Sequence, residues 1–126
     1  MSKKTIFIVD DSIANLSVAE EVLEKQYEVM TMTSAANMFT ILEKVRADLI
    51  LLDIAMPEMN GFDAMKQLKS SEQYAGIPVI FLTALTDSYN EAYGIELGAV
   101  DFITKPFSDL VLLDRVRRHL GVENVN

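Results

Sequence analysis

Short apolar segments recur along the chain, and their first residues lie 20 to 29 positions apart, which leaves room for one helix between each pair. Three of them, IFIV, LILL and VIFL, are apolar without a break. Such runs are typical of strands buried on both faces of a parallel sheet, whereas the mixed segment EVMTM is typical of an edge strand. The pattern predicts five strands, at residues 5–9, 28–32, 48–52, 77–82 and 101–104.

The intervening segments carry apolar residues three and four positions apart, as the buried face of a helix requires. Ser12 and Ser34 stand at predicted helix starts, Asn60 and Gly61 form a turn that opens the third helix with Gly61 free to adopt a positive φ, and Gly121 follows the fifth helix. The apolar positions of the helices are Ile13, Leu16, Val22 and Leu23; Met38, Ile41, Leu42 and Val45; Phe62, Met65 and Leu68; a weaker stretch over about residues 87–97; and Leu112, Leu113, Val116 and Leu120.

This alternation predicts an α/β fold: a doubly wound (βα)5 three-layer sandwich whose five-stranded parallel sheet has the order 2-1-3-4-5. The chain has 126 residues and no Pro/Gly/Ser-rich linker, so we expect one domain over residues 1–126 with no output domain. The chain contains no cysteine, which excludes disulfides, thiol catalysis and cysteine-ligated metals.

The chain carries no apolar run near the roughly 18 residues of a membrane span and no signal peptide, so we expect a cytoplasmic protein without membrane contact. Its net charge of −8 disfavours direct binding of nucleic acid. One dense group of cations lies at the end of the predicted fifth helix, where positive charge complements the helix dipole: Arg115, Arg117, Arg118 and His119.

Polar side chains directly follow four of the five strands. Asp10 and Asp11 follow IFIV, Asp53 follows LILL, Thr83 follows VIFL and Lys105 follows FIT. Because ligands of open parallel sheets bind beyond the carboxyl ends of the strands, we expect these five side chains to lie together at one edge. Each has a simpler structural explanation on its own, such as helix capping by Asp11, so the convergence carries the prediction.

Three carboxylates in one place repel by about 4 kcal/mol per pair at about 4 Å and an effective dielectric constant near 20, so the predicted site needs a counterion. Oxygen ligands with an open face suit Mg²⁺, with Mn²⁺ as a substitute. A divalent cation, a lysine and a hydroxyl can together neutralise a phosphoryl group, and one carboxylate can attack that group to form an acyl phosphate. The residues therefore indicate metal-dependent phosphoryl chemistry.

Four stretches, IVDDS, LILLDIAMPEMNG, VIFLTAL and GAVDFITKPF, resemble in this order and spacing the receiver domain of two-component response regulators. The resemblance spans essentially the whole chain. It implies that Asp53 is the phosphorylated residue. It also implies that Asp10, Asp11 and Asp53 hold Mg²⁺ together with the backbone carbonyl of Ala55.

The same resemblance implies that Lys105 contacts the phosphoryl oxygens and that Thr83 is the switch hydroxyl. Ala84 is small, which leaves access to the phosphoryl group. Phe102 occupies the position of an aromatic side chain that is expected to swing inward when Thr83 turns toward the phosphoryl group. Pro106 is expected to follow a cis peptide bond.

The phosphoryl donor implied by the resemblance is a sensor histidine kinase or a histidine phosphotransfer protein. Phosphorylation is expected to reshape the surface of the fourth helix, fifth strand and fifth helix and so to control a downstream target or a detached output domain. The domain is then no enzyme toward other substrates, since it promotes only its own phosphorylation and dephosphorylation. Ala55 and Leu85 lack the polar groups that position an attacking water in other receivers, so we expect slow self-dephosphorylation.

A weak homodimer through that surface is left open. Asp101 and Arg115 match positions that pair across dimers in one receiver subfamily, but Glu91 stands where that subfamily places a basic residue.

Three other functions fit parts of the pattern. A haloacid-dehalogenase-like phosphatase needs an acid two residues after its nucleophile, and Asp10 and Asp11 are adjacent instead. A flavodoxin-like electron carrier would place its phosphate loop beside these two acids, and the sequence has neither a P-loop nor GxGxxG. A binding module that has lost phosphorylation need not keep all five site residues. The sequence leaves open the kinase, the target and whether a longer regulator contains this chain.

Overall fold

The fold is known from a computed structural model, which describes residues 3–84 and 88–121. Strands and helices alternate along the chain. The strands are β1 (Thr5–Val9), β2 (Glu28–Met32), β3 (Leu49–Leu52), β4 (Val79–Thr83) and β5 (Asp101–Thr104), and the helices are α1 (Ile13–Leu23), α2 (Ala35–Leu42), α3 (Gly61–Lys69), α4 (Ser88–Glu96) and α5 (Asp109–Leu120).

The sheet is parallel and has the order β2-β1-β3-β4-β5, which confirms the predicted topology. The register aligns the carboxyl ends of the central strands, because Val9 pairs with Leu52 and Leu52 pairs with Phe81. Residues that follow β1 and β3 therefore leave the sheet at the same level. β2 lies at the outer edge, away from this point.

The strand side chains divide between two cores, one on each face of the sheet. Phe7 and Phe81 pack with α2 and α3 on one face, whereas Ile8 and Leu82 pack with α1 and α5 on the other. This double burial explains the unbroken apolar runs. Among the described residues, no helix has the length and apolar character to cross a membrane.

Two strand boundaries differ from the prediction. β3 begins at Leu49 rather than at residue 48, because the Asp48 carboxylate accepts a hydrogen bond from the amide of Thr5 at 2.8 Å. β4 covers Val79–Thr83 rather than 77–82, because the Ile77 amide donates to Tyr74 in the preceding turn and Pro78 has no amide to donate.

Two of the apolar positions predicted for the buried helix faces also differ from the structure. Ile13 is 71% exposed, since the first turn of α1 stands beyond the carboxyl edge of the sheet, and the buried face begins at Leu16. Val45 lies past the end of α2, which finishes at Leu42. The fourth helix starts at Ser88, and the predicted start near residue 87 lies outside the described residues.

The helix ends follow their capping residues. The predicted N-caps are confirmed: Ser12 Oγ accepts from Asn15 at 3.3 Å, and Ser34 Oγ accepts from the amide of residue 37. α5 ends at Leu120, and its C-cap is Gly121, whose φ of 77° favours glycine. The hydroxyl of Tyr27, a residue just before β2, donates to the Gly121 carbonyl at 3.2 Å.

Candidate functional site at the carboxyl edge of the sheet

The carboxyl edge of the sheet holds a concentration of buried polar side chains. Among the described residues, the buried polar or charged ones are Asp10, Asp53 and Thr83, with 1%, 5% and 0% of their surface exposed. All three stand at or just past the ends of central strands. Burying such groups costs free energy unless they are paired, so this cluster points to function.

Lys105, which follows β5, supplies a positive charge to this cluster. Its Nζ lies 2.5 Å from Asp10 Oδ2 and 3.4 Å from Asp53 Oδ2, and its side chain is only 13% exposed. The peptide bond from Lys105 to Pro106 is cis, as the sequence predicts. One ammonium therefore serves two buried carboxylates.

The main chain fixes the other oxygen of each buried aspartate. The amide of Ser12 donates to Asp10 Oδ1 at 2.9 Å, and the amide of Ile54 donates to Asp53 Oδ1 at 2.8 Å. Ser12 thus caps α1 with its hydroxyl and orients Asp10 with its amide, a second role that the sequence pattern does not indicate. The Oδ2 atom of Asp53 faces Lys105.

Asp11 completes an acidic group with the two buried aspartates. One carboxylate oxygen each from Asp10, Asp11 and Asp53 lies within 4.8 Å of the others, and Asp11 is exposed to solvent. This donor set fits Mg²⁺, because it consists of hard oxygen ligands with an open face. The charges fit as well, since three carboxylates and one ammonium leave an excess that a divalent ion balances. Ala55 lies exposed on the loop that follows.

The surroundings of Asp53 make its ionisation unfavourable. Burial raises the pKa of the Asp53 carboxyl above its ordinary value, and the negative charge of Asp10 raises it further. Lys105 lowers this pKa by its charge, and hydrogen bonds with Thr83 and Lys105 act in the same direction without cancelling the rise. The carboxylate is therefore held in a site with too little positive charge around it.

The residues that the sequence assigns to switching lie next to this cluster. Thr83 ends β4 and reaches Asp53 with its hydroxyl, while Ala84 follows it and is exposed. Phe102 of β5 is 6% exposed, and its ring centroid lies 6.1 Å from that of Phe81. Its movement on phosphorylation stays a prediction. Leu85 lies outside the described residues.

Gly61 has a different role from the predicted one. Its φ is not positive; instead, a Cβ atom here would lie 2.3 Å from the Asp53 carbonyl oxygen and 2.8 Å from Ile54 Cα. The amide of Gly61 also donates to the Ile54 carbonyl at 2.8 Å, and Asn60 is the N-cap of α3. Glycine is required because α3 begins directly against the backbone of Asp53.

The cations of α5 are engaged by acids of the same chain. Arg115 lies 3.0 Å and His119 lies 3.1 Å from the carboxylate oxygens of Asp101, and Arg118 pairs with Asp114. Asp101 Oδ1 also accepts from the amide of Phe102. The helix-dipole interpretation is thus incomplete, because specific carboxylates contact Arg115, Arg118 and His119.

Fold and site together define a doubly wound α/β protein with an acidic, lysine-bearing pocket suited to a phosphoryl group. The profile of the response regulator receiver domain family matches residues 6–117. The chain belongs to this family, and it is a receiver domain of two-component signalling.

Similar proteins are known in curated sequences and in solved structures. A probable cyclic di-GMP phosphodiesterase of Vibrio cholerae is 42% identical over 95% of this chain, and the response regulator PleD of Caulobacter vibrioides is 39% identical over 89%. The chain spans only 27% and 25% of their respective lengths. The structure of the chemotaxis protein CheY4 of Vibrio cholerae matches with a TM-score of 0.89 and 31% identity, covering 94% of this chain and all of that one.

Proposed function

We propose that Asp53 accepts a phosphoryl group from a phosphohistidine of a sensor kinase or a histidine phosphotransfer protein. One observation carries this assignment. The Asp53 carboxylate is buried within the acidic cluster, and a main-chain amide holds its Oδ1. Its Oδ2 lies 3.4 Å from Lys105 Nζ. His119 is no donor in this scheme, because it pairs with Asp101 near the far end of α5.

In the transfer, an oxygen of Asp53 attacks phosphorus and forms the P–O bond of an acyl phosphate. The P–N bond breaks, and its electron pair stays on the imidazole nitrogen of the donor. Phosphoryl transfer depends mainly on in-line positioning and charge neutralisation, so no general base is needed. Lys105 would then contact the phosphoryl oxygens, and the hydroxyl of Thr83 would donate to one of them.

Asp10, Asp11 and Asp53 would hold Mg²⁺, or Mn²⁺, together with the backbone carbonyl of Ala55. When bound, the ion supplies positive charge to the phosphoryl oxygens. The protein's own part is to orient the ligands: the amide of Ser12 holds Asp10, and the amide of Ile54 holds Asp53. The negative excess of the cluster supports this assignment.

The response of the domain is proposed to lie on the surface of α4, β5 and α5, which would control a target protein or an output domain in the same polypeptide. We infer that the domain acts as a cytoplasmic signalling unit and not as a catalyst for other substrates, since phosphodiesterase activity is named for a relative of which this chain covers only 27%. A homodimer using the Asp101–Arg115 pair is disfavoured, because Asp101 already engages Arg115, His119 and the Phe102 amide within one chain.

The test uses acetyl phosphate as a small donor, with mass spectrometry as the readout. With Mg²⁺, the chain is expected to gain the mass of one phosphoryl group, and chelation of the metal should prevent this. Asp53→Asn should abolish the gain, whereas Asp63→Asn, which changes an exposed aspartate of α3, should leave it intact. Full modification of Asp53→Asn would overturn the assignment.

A further inference from the structure

Helix α4 rests on aromatic rings of the sheet. The structure describes every residue of α4, and Gly94 is the buried one among them. A Cβ atom at Gly94 would lie 2.9 Å from Phe81 Cδ2 and 3.5 Å from Phe102 Cε2. The backbone of α4 therefore touches the ring of Phe81 almost directly, with few side chains anchoring the helix in the core.

The ring of Phe81 is the start of a continuous series of aromatic contacts. Phe81 lies 5.4 Å from Phe62 of α3, and Phe62 lies 4.9 Å from Tyr93 of α4, in both cases edge to face. Tyr93 stacks on Tyr89, with centroids 6.3 Å apart and planes inclined by 6°. The series thus runs from a fully buried strand to Tyr89, which is 75% exposed.

Phe62 also stands next to the connection between α3 and Asp53. The preceding residue, Gly61, lies against the Asp53 carbonyl and donates its amide to Ile54. The Ile54 amide in turn donates to the Asp53 carboxylate at 2.8 Å. Two hydrogen bonds and one close backbone contact therefore connect that carboxylate with Gly61, the residue before Phe62.

We infer that Phe62 is a positioning residue that couples Asp53 to α4, so that the Tyr89–Tyr93 face of α4 responds to phosphorylation through α3. This rests on the proposed phosphorylation of Asp53. Packed aromatic rings have discrete preferred arrangements. A shift of the first turn of α3 therefore changes the Phe62–Tyr93 contact and, with it, the position of α4 on the sheet.

Lys66 adds a second connection between the same two helices. Its Nζ lies 5.8 Å from the centroid of the Tyr93 ring. Contact with Tyr93, chiefly a side-chain hydrogen bond, raises the pKa of Lys66. Tyr93 is therefore contacted by α3 through both an aromatic edge and a cation, one turn apart along that helix.

A competing route would reach α4 without α3. Thr83 and Phe102 could act on α4 from the sheet, through the rings of Phe81 and Phe102 that contact Gly94. Only the inferred route requires the side chain of Phe62. Removing that ring while keeping an apolar residue therefore separates the two.

The experiment reads the tyrosines by ¹⁹F NMR after incorporation of 3-fluorotyrosine. The chain has four tyrosines, at positions 27, 74, 89 and 93, so four resonances can be assigned with single Tyr→Phe variants. With Mg²⁺ and acetyl phosphate, the resonances of Tyr89 and Tyr93 are expected to shift, and that of Tyr27, buried at the opposite edge, should not. Mass spectrometry of the same sample measures how much of the chain is phosphorylated.

In Phe62→Leu, the chain should still be phosphorylated, but Tyr89, which makes no ring contact with residue 62, should lose most of its phosphorylation-dependent shift. Phe39→Leu is the matched control, because Phe39 of α2 packs against the same core and lies outside the aromatic series; its Tyr89 shift should remain. If Phe62→Leu does not fold, Phe62→Met removes the same ring with a flexible apolar side chain and leaves the stacked Tyr89–Tyr93 pair unchanged as the reporter.

A full Tyr89 shift in phosphorylated Phe62→Leu would overturn the inference and favour the competing route through Thr83 and Phe102. An unshifted Tyr89 in fully phosphorylated wild type would overturn it as well. Absence of phosphorylation in the wild type would instead refute the function proposed for Asp53. The mass and the resonances thus distinguish the two failures.

Discussion

Asp53 and Asp101 are both placed at strand ends, yet their surroundings differ. Asp53 follows β3, is buried and shares one ammonium with Asp10. Asp101 begins β5, has a side chain that is 20% exposed and accepts hydrogen bonds from Arg115, His119 and an amide. The first carboxylate has too little positive charge around it, and the second is fully satisfied.

The difference separates a functional charge from a structural one. A carboxylate that the fold leaves short of positive charge can take up a cation and a phosphoryl group, at a cost in stability. A carboxylate with several donors holds elements together and has little capacity left for a ligand. Substitutions at the two sites should therefore change the free energy of unfolding in opposite directions.

The largest effect is expected for Lys105→Met. Removing the ammonium leaves Asp10 and Asp53 buried without their cation, which should lower the free energy of unfolding by about 3 kcal/mol in metal-free buffer. Urea denaturation measures this, with Lys44→Met at an exposed position as the control. An unchanged midpoint for Lys105→Met would contradict the charge shortage described for this pocket.

Asp53→Asn should stabilise the metal-free protein at neutral pH, by on the order of 1 kcal/mol. Because the pKa of Asp53 is raised in the folded state, chiefly by burial, its ionisation costs stability above that pKa. Below the unfolded-state pKa of about 3.9 both states are protonated and the cost is absent. The extra stability of Asp53→Asn over the wild type should thus develop as the pH rises from the unfolded-state pKa through the folded-state pKa. Denaturation of the wild type and of Asp53→Asn across this pH range measures it.

If the stabilisation by Asp53→Asn increased toward acid pH instead, folding would not raise the pKa of Asp53. Mg²⁺ sharpens the test, because it should stabilise the wild type more than Asp53→Asn, which lacks one of the three carboxylates.

Asp101→Asn should act in the opposite direction, lowering the free energy of unfolding by about 0.5 kcal/mol, since its ion pairs are partly solvated. Asp114→Asn, which removes the more exposed pair with Arg118, is the comparison and should cost less. Thermal unfolding at several salt concentrations measures both. Stabilisation by Asp101→Asn would remove the contrast with Asp53.

The smallest effect in free energy is expected for Ala55→Asn. An amide two residues after Asp53 can position a water near the acyl phosphate, so we expect hydrolysis to accelerate by a factor of about two, which corresponds to roughly 0.4 kcal/mol of barrier. Loss of the phosphorylated mass over time measures the rate, with Ala36→Asn on the exposed side of α2 as the control. Equal rates for wild type and Ala55→Asn would contradict the expectation of slow self-dephosphorylation.

The sequence predicted the topology and the meeting of the five site residues because both follow from local patterns. Continuous apolar runs specify strands buried on two faces, and the order of a parallel sheet specifies which strand ends meet. The contact of Gly61 with the Asp53 backbone and the engagement of Asp101 within the chain depend on how elements pack. The same holds for the series of rings from Phe81 to Tyr89, whose members are scattered over α3, α4 and β4.

The bond from Tyr27 to Gly121 fixes where α5 finishes, beside the start of β2 and so at the amino edge of the sheet. Lys105 and the acidic cluster lie at the other edge. A fluorescent protein or an affinity tag joined after residue 121 would therefore emerge on the far side of the molecule from Asp53. Such a fusion should leave a phosphoryl donor free to approach.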